Sequence, residues 1–506
     1  MLFFPALAGL IVGLLRKLEL GNRWHGPPDV ILSAHSSKEK LSIKSGFIAS
    51  FSAIISISAG GSVGQYGPLV HFGATIGANI KSFFKSVGDY QVYLGAGVAA
   101  AISSGFGAPI AGLIFSREVI LRHQSLASFA PILVSSIIAY LISKFFFGID
   151  SILATDIGEI SSIKEFPALV ITGIVSGLVS VLYMNGLTHK NFFPKITFLK
   201  LHYQPILASI ICSIVGIFIP EAIGLGTETI KNLLLAKISW ENAILFLVTK
   251  LLLTVICIRL GLVGGVFAPA LFLGACTGLA MGVLIKIFLP ETNIILYTVS
   301  AMAAVGSCVI GGPVANMMII FELTKDYQAT IAAGISIVFA SLISFRLIGQ
   351  SVFDKVLLNR DFDLKIGRDH LLLKEKKIKE IIQNKYCKIL GDLSISEVIK
   401  KMVVTNYSEA YLVNKNGKLI NKFELTKLLR EKNQKKKVLN LKKNQFLKIL
   451  NENDILSTIK ICENFIGESI PIIDKNSKLV GVVSESDMFK IFLKTSEMVH
   501  KIEAKD

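Results

Sequence analysis

An all-α polytopic membrane domain, built as an inverted repeat with interrupted helices and followed by a small α/β pair, is the fold class the sequence predicts. Three observations predict it. The 506-residue chain is 52% hydrophobic with a mean hydropathy of +0.61, and its apolar runs continue as far as Phe353. A glycine- and proline-rich motif inside those runs occurs twice. Beyond Asp361 the composition turns lysine-rich and the grammar changes to short strands and helices.

The first copy of the motif is Gly60-Gly61-Ser62-Val63-Gly64-Gln65-Tyr66-Gly67-Pro68, running on to Gly77. A spanning helix would be Leu- and Ile-rich here, so this reads as a helix broken and restarted within the membrane. Pro68 suits a first helical turn, where its missing N–H has no partner to lose. The glycines let the backbone turn sharply. A helix start presents unpaired N–H groups and the positive end of its dipole, which is an anion site. Such backbone is tolerable at membrane depth only against protein or a water-filled path.

The second copy is Gly261-Leu262-Val263-Gly264-Gly265-Val266-Phe267-Ala268-Pro269. Pairing Pro68 with Pro269 also pairs Gly64 with Gly265, Tyr66 with Phe267, Gly73 with Gly274 and Gly77 with Gly278. Downstream, Ser103, Gly107, Pro109, Ala111 and Glu118 match Ser307, Gly311, Pro313, Ala315 and Glu322. Two matched motifs in one order imply a duplicated membrane domain. Interrupted helices at corresponding positions point to a midplane substrate site.

Taken in order, residues 1–15 are apolar and meet Arg16-Lys17, and a polar connection follows through Arg23 to Asp29. No secretory signal is expected at Met1-Leu2, which lack a charged leader region. Apolar segments then cover 44–59, 66–84, 92–121, 126–147, 165–187, 204–224, 241–263, 266–288, 295–324 and 328–350. Their lengths scatter around the ~20 residues a spanning helix needs. They lack the two-residue alternation of a barrel. The membrane domain is assigned to 1–360.

In the tail, Ile395–Ile399 reads as helix, Ala410–Val413 as strand, Asn414–Gly417 as turn, Lys418–Ile420 as strand and Glu424–Lys427 as helix. The order recurs as helix Asp454–Cys462, strand Ser469–Ile473, turn Asp474–Asn476, strand Lys478–Val483 and a helix from Ser484. These are two copies of one small module, 373–435 and 436–506.

The net charge of +17 belongs largely to this tail, and basic segments stay cytoplasmic. No basic run is interleaved with aromatics, so nucleic acid is not an expected partner. Cys212, Cys257, Cys276, Cys308, Cys387 and Cys462 are scattered without a CxxC pair, and neither a metal site nor a disulfide framework follows.

On these residues both halves resemble the CLC family of chloride channels and proton-coupled chloride transporters, and the tail resembles a pair of CBS domains. The resemblance implies a homodimer with one pathway per subunit, a chloride or similar small anion as the transported ion, no enzymatic activity and no required cofactor. It implies anions held at the N-termini of interrupted helices and by two hydroxyls. Gly264-Gly265-Val266-Phe267-Ala268-Pro269 matches the family run G-G-x-F-x-P, whose counterparts of the Val266 and Phe267 N–H groups face the anion. His25-Gly26-Pro27-Pro28-Asp29 takes the place of S-G-x-P-E, so His25 stands where a hydroxyl coordinates chloride. Gly64-Gln65-Tyr66-Gly67-Pro68 matches G-K/R-E-G-P, with Tyr66 replacing the gating glutamate. Val119, after Glu118, replaces the internal proton-transfer glutamate. Phe353 replaces the central anion-coordinating tyrosine. The family's first helices have no counterpart before Leu2.

These departures bear on mechanism. A glutamate with a raised pKa carries protons near neutral pH, whereas Tyr titrates near 10 and Val not at all. Uncoupled conduction is therefore favoured over proton-coupled exchange, with backbone amides as the main anion ligands. Tyr66 reads as a pore plug against the alternative of simple packing, and His25 as an anion neighbour against an interfacial cap beside Trp24. Glu118 and Glu322 are read as binding freed backbone N–H groups, and His71 as packing. Ser484 and Asp487 match the CBS turn that holds a nucleotide's ribose and phosphates, so an adenine nucleotide is the candidate ligand there. A CBS-bearing cation transporter or sensor is the rival class, but a hard cation needs converging carboxylates, and the apolar segments carry few.

Overall fold

The computed structural model describes residues 3–19, 23–36, 38–84, 89–123, 125–148, 162–189 and 199–503; Met1 and Leu2 lie outside them. A helical unit ends at Asp363, and a mixed unit runs from Leu364 to Ile502. The first half of the helical unit contains α1 (Phe3–Arg16), α2 (Pro27–His35), α3 (Ile43–Ser58), α4 (Tyr66–Phe84), α5 (Tyr90–Phe106), α6 (Pro109–Phe115), α7 (Leu126–Phe147) and α8 (Glu165–Thr188). The second contains α9 (Gln204–Phe218), α10 (Thr227–Leu234), α11 (Trp240–Arg259), α12 (Phe267–Phe288), α13 (Ile294–Ile310), α14 (Pro313–Thr324), α15 (Tyr327–Leu347) and α16 (Val352–Leu358). Helices α4 to α7 correspond to α12 to α15. In each set the second helix packs between the first and the fourth.

Among the described residues, five stretches, α7, α8, α11, α12 and the run from α15 through α16, are long and apolar enough to cross a membrane. The others are shorter because the apolar runs break. The run 92–121 divides where Gly107 closes α5 at φ 67° and Pro109 opens α6. The run 295–324 divides in the same way at Gly311, φ 74°, and Pro313. A left-handed glycine ends one helix, and a proline that needs no N–H partner begins the next.

Lipid tails are as apolar as leucine, so helices in a membrane associate by close packing. Here the duplicated glycines provide it. A Cβ on Gly73 or Gly77 would strike the Gly97 or Tyr93 carbonyl of α5, and one on Gly274 or Gly278 would strike α13 at Met302 or Tyr297. A second apolar cluster joins α1, α3, α9 and α11 through Val12, Ala53, Ala208 and Leu253.

Two differences from the sequence reading concern polar segments. The connection after α1 contains the largely buried helix α2, entered through two prolines, with Asp29 accepting the Gly26 N–H at 3.0 Å. The amphipathic α10 lies in sequence without a long apolar run. Neither has the hydrophobic periodicity that marks the spanning helices.

The mixed unit starts with α17 (Arg368–Glu375) and holds two three-stranded sheets. In the first, β1 (Cys387–Leu390) lies parallel to β2 (Glu409–Val413) across α18 (Ile395–Val404). There β3 (Leu419–Glu424) is antiparallel to β2, and α19 (Leu425–Leu429) follows. The second repeats this with β4 (Ile449–Leu450), α20 (Ile455–Ile461), β5 (Ile470–Ile473), β6 (Leu479–Val483) and α21 (Glu485–Glu503). Ser394 and Glu397 form a reciprocal capping box on α18, and Asp454 caps α20. The two β-turns bond each other: Leu419 N–H donates to Ser477 C=O, and Leu479 N–H to Gly417 C=O, both at 3.0 Å. Glu409 joins the modules by accepting from the Glu468 and Ser469 N–H groups while paired with Lys422 at 2.7 Å. Burial pushes its carboxyl up, but Lys422 and the two N–H groups outweigh this and hold it below the usual range.

The interrupted helices α6 and α14 cap each other's neighbourhoods reciprocally. Glu118, on a π-helical turn (Ser116–Leu121) that continues α6, accepts from the Val314 and Ala315 N–H groups at 3.1 and 2.7 Å. Glu322, on α14, accepts from Ile110 and Ala111 at 2.9 and 2.7 Å. Hydrogen bonds to a charged group are worth about 1.5–3 kcal/mol each. Glu118→Ala or Glu322→Ala should each lower stability by about 3 kcal/mol or more, and Gln at either position by roughly half that. Thermal unfolding of the detergent-purified protein checks this; unchanged midpoints would mean the carboxylates do not hold these helix starts.

Candidate functional site

Four separated segments enclose a cavity of about 200 Å3 in the helical unit. His25, Gly26 and the prolines of α2 form one wall, Tyr66 and Gly67 of α4 a second, Gly264 to Phe267 before α12 a third, and Val352 and Phe353 of α16 a fourth. The N-termini of α2, α4 and α12 thus converge on one space. The first N–H groups of α4 and α12 have no acceptor within their helices, and each of these starts carries roughly half a positive charge. Helix α2 opens on Pro27 and Pro28, which have no N–H, and its Gly26 N–H is taken by Asp29. Such a cavity suits a small anion.

The sequence-predicted residues meet here with few exceptions. His25, Gly26, Tyr66, Gly67, Gly264, Gly265, Val266, Phe267 and Phe353 line the cavity. Gln65 lines a smaller cavity of about 50 Å3, which also has Tyr66 in its wall. Gly64 and Pro68 line neither, and Gly64 instead joins the two halves. Its N–H donates to Gly265 C=O at 2.7 Å, and Gly265 N–H donates to Gly64 C=O at 2.5 Å. There is no room for a side chain at this crossing. A Cβ on Gly265 would lie 2.5 Å from the Gly67 nitrogen, and one on Gly64 2.9 Å from the Gly265 oxygen. The expected role of Gly265, backbone approach to an ion, is thus joined by a second: approach of one repeat to the other.

The Val266–Phe267 peptide is oriented by a residue the sequence reading did not single out. The fully buried Tyr183 of α8 donates its O–H to Val266 C=O at 3.1 Å. In a trans peptide the N–H points opposite the C=O, so this bond turns the Phe267 N–H away from Tyr183. Trp24 does similar work upstream, donating its indole N–H to Gly261 C=O at 2.8 Å. Both are single aromatic residues in aromatic-containing runs, and nothing in their spacing marks them.

Tyr66 is 6% exposed and stands in the wall of both cavities. Its ring stacks on Phe106 at 3.7 Å between centroids with 12° between planes, and both rings meet Phe267 edge-on at 6.0 and 5.6 Å. Three packed aromatic rings therefore stand between linings of the two spaces, Phe267 in the first, Phe106 in the second and Tyr66 in both. Phe106 precedes the left-handed Gly107, a position the duplicated pattern marks only through its glycine. Val119 is fully buried on the π-helical turn.

His25 faces carboxylates on both ring nitrogens. Nε2 lies 3.6 Å from Glu19 and Nδ1 3.4 Å from Asp29. Asp29 is also paired with Arg23 at 3.1 Å and Arg360 at 2.9 Å. Asp29 and Arg360 reach the cavity wall as well; their contact spans most of the chain and has no local sequence signal.

In the mixed unit, Ser484 and Asp487 face each other. Asp487 accepts from the Ser484 N–H at 3.0 Å and O–H at 2.6 Å, and from the Gln383 amide at 2.7 Å on both oxygens. Burial pushes the Asp487 carboxyl up, but these donors, with Lys490 nearby, hold it below the usual range. No cluster of metal-ligating side chains occurs among the described residues.

Comparison with known proteins follows the same division of the chain. The family model described as voltage gated chloride channel matches residues 6–345, and that of the CBS domain matches residues 445–494. A ClcB-like protein of Ralstonia nicotianae is 28% identical over 376 residues, 72% of this chain and 87% of the relative. The voltage-gated ClC-type chloride channel ClcB of Escherichia coli is 26% identical over 367 residues, 70% of this chain and 85% of that one. Among solved structures, a slow cyanobacterial Cl−/H+ antiporter superposes with a TM-score of 0.64 at 21% identity, covering 71% of this chain and 87% of its own. A eukaryotic CLC transporter gives 0.60 at 19% identity and covers 96% of this chain and 89% of its own. At these identities the structural likeness concerns the fold.

Proposed function

The chain belongs to the voltage-gated chloride channel family, and from that premise we propose that it conducts chloride or a similar small anion passively, without stoichiometric proton exchange. The observation that carries this reading is the convergence of the α2, α4 and α12 N-termini on one cavity whose wall holds aromatic rings at Tyr66 and Phe353. An anion there takes backbone N–H groups around Val266, Phe267 and Gly67 as its chief ligands. The phenylalanine at 353 offers no hydroxyl, and a valine at 119 offers no carboxylate to receive a proton. Coupled exchange needs a group that binds protons and anions alternately at the plug, and the Tyr66 phenol, which ordinarily titrates near 10, does not serve near neutral pH.

The reading extends to the assembly. The protein sits as a homodimer in the plasma (inner) membrane, with the lysine-rich tail cytoplasmic in keeping with the retention of basic segments there. Residues 373–435 act as a partner module to the CBS domain matched at 445–494, given the identical strand order of the two sheets. An adenine nucleotide at Ser484 and Asp487 would have to displace the Gln383 amide from the Asp487 carboxylate.

Proteoliposomes test the transport reading. With the potential clamped by potassium and valinomycin, they should release chloride, and an imposed chloride gradient should drive no opposed proton movement. Proton flux in fixed ratio to chloride would overturn the uncoupled reading.

The plug makes its own prediction. Tyr66→Ala removes the ring stacked on Phe106 and should raise chloride flux severalfold, while Tyr66→Phe, which keeps the ring, should stay near the parent rate. Equal flux in all three proteins would mean the ring packs without obstructing the path.

A further inference from the structure

We propose that His25 is a proton-binding site coupled to anion occupancy of the cavity it lines, so that a small anion and a proton from the same solution bind together. The inference rests on reading that cavity as the anion path. What carries it is the pair of buried carboxylates at ion-pair distance from the two edges of the ring. A neutral imidazole has one N–H donor and one lone pair, whereas the imidazolium donates from both nitrogens. The His25 nitrogens face Glu19 at 3.6 Å and Asp29 at 3.4 Å, two acceptors on opposite edges. Only the protonated ring answers both. A neutral ring leaves both carboxylates beside an uncharged group in a buried setting, where Glu19 and Asp29 are 5% and 6% exposed.

The surrounding charges leave room for that proton. Asp29 already pairs with Arg23 and Arg360, so its charge is answered. Glu19 interacts with Ser45 and Lys44 of α3 as well as with His25 and Asp29. Among the described residues, His71 of α4 also faces His25, with its ring centroid 6.0 Å away. Imidazole is the side chain whose charge ordinarily changes between about pH 5 and 8. Protonation adds one positive charge to the wall of a cavity that the starts of α4 and α12 already make attractive to anions. By linkage, whatever the proton does for the anion, the anion does for the proton. The proton is taken up on binding and returned on release, so no net exchange across the membrane is required.

Calorimetric titration of the full-length detergent-purified protein with sodium chloride, at constant ionic strength, reads this directly. Affinity should rise roughly tenfold from pH 8 to pH 5.5, within the usual range of coupling between two sites. Repeating the titration near pH 6.5 in buffers of different ionisation enthalpy should count a fraction of a proton taken up per chloride. His25→Gln should flatten the pH dependence whatever its absolute affinity, and Glu19→Gln, which removes one acceptor of the proton-bearing ring, should move the rise to lower pH. Affinity independent of pH in the parent protein, with no proton uptake, would overturn the proposal while leaving the anion path intact. So would an unchanged pH profile in His25→Gln. Absence of chloride binding at every pH would overturn the anion path and this proposal with it.

Discussion

Two backbone hydrogen bonds between Gly64 and Gly265 hold the position on which the helical unit depends. Each repeat breaks a helix in apolar surroundings, and an unpaired backbone group there costs several kcal/mol. The two breaks solve the problem jointly, each loop serving as the other's partner. Glycine is needed because a side chain at either crossing would meet backbone. Once the loops are locked, α4 and α12 start beside one another, and α2 joins them around the cavity.

The same unit contains a second pair of interrupted helices with a different outcome. The starts of α6 and α14 receive fixed negative charge from Glu322 and Glu118. The starts of α4 and α12 open on the cavity instead. One physical requirement, negative charge at a helix start away from bulk water, is met permanently at one pair and, in the proposed function, by an exchangeable ion at the other. Low-dielectric apolar walls strengthen every such interaction. In the proposed function, this lets a site whose wall has phenylalanine at 353 and tyrosine at 66 hold an anion through peptide groups.

Much of this was legible in the sequence because duplication doubles each signal. The Gly-Pro motifs marked the broken helices at α4 and α12, and the matched Glu118 and Glu322 marked the reciprocal caps of α14 and α6. The apolar segments foretold the spanning helices to within a few residues. What escaped notice depends on distance in the chain. Tyr183 orienting the Val266 peptide, Arg360 reaching Asp29, and Phe106 stacking on Tyr66 are tertiary contacts with no periodicity. The helices α2 and α10 are too short and polar to show a spanning pattern. In the tail, β1 and β4 are four and two residues long, and strands so short do not establish alternation.

The central claim is that an anion occupies the space between the starts of α2, α4 and α12. Crystals of the purified protein grown in bromide and measured at the bromine absorption edge would locate it. The account predicts an anomalous peak within hydrogen-bonding distance of the N–H groups around Val266 and Phe267, beside Gly67. Bromide bound elsewhere in the helical unit, with that cavity empty, would contradict it.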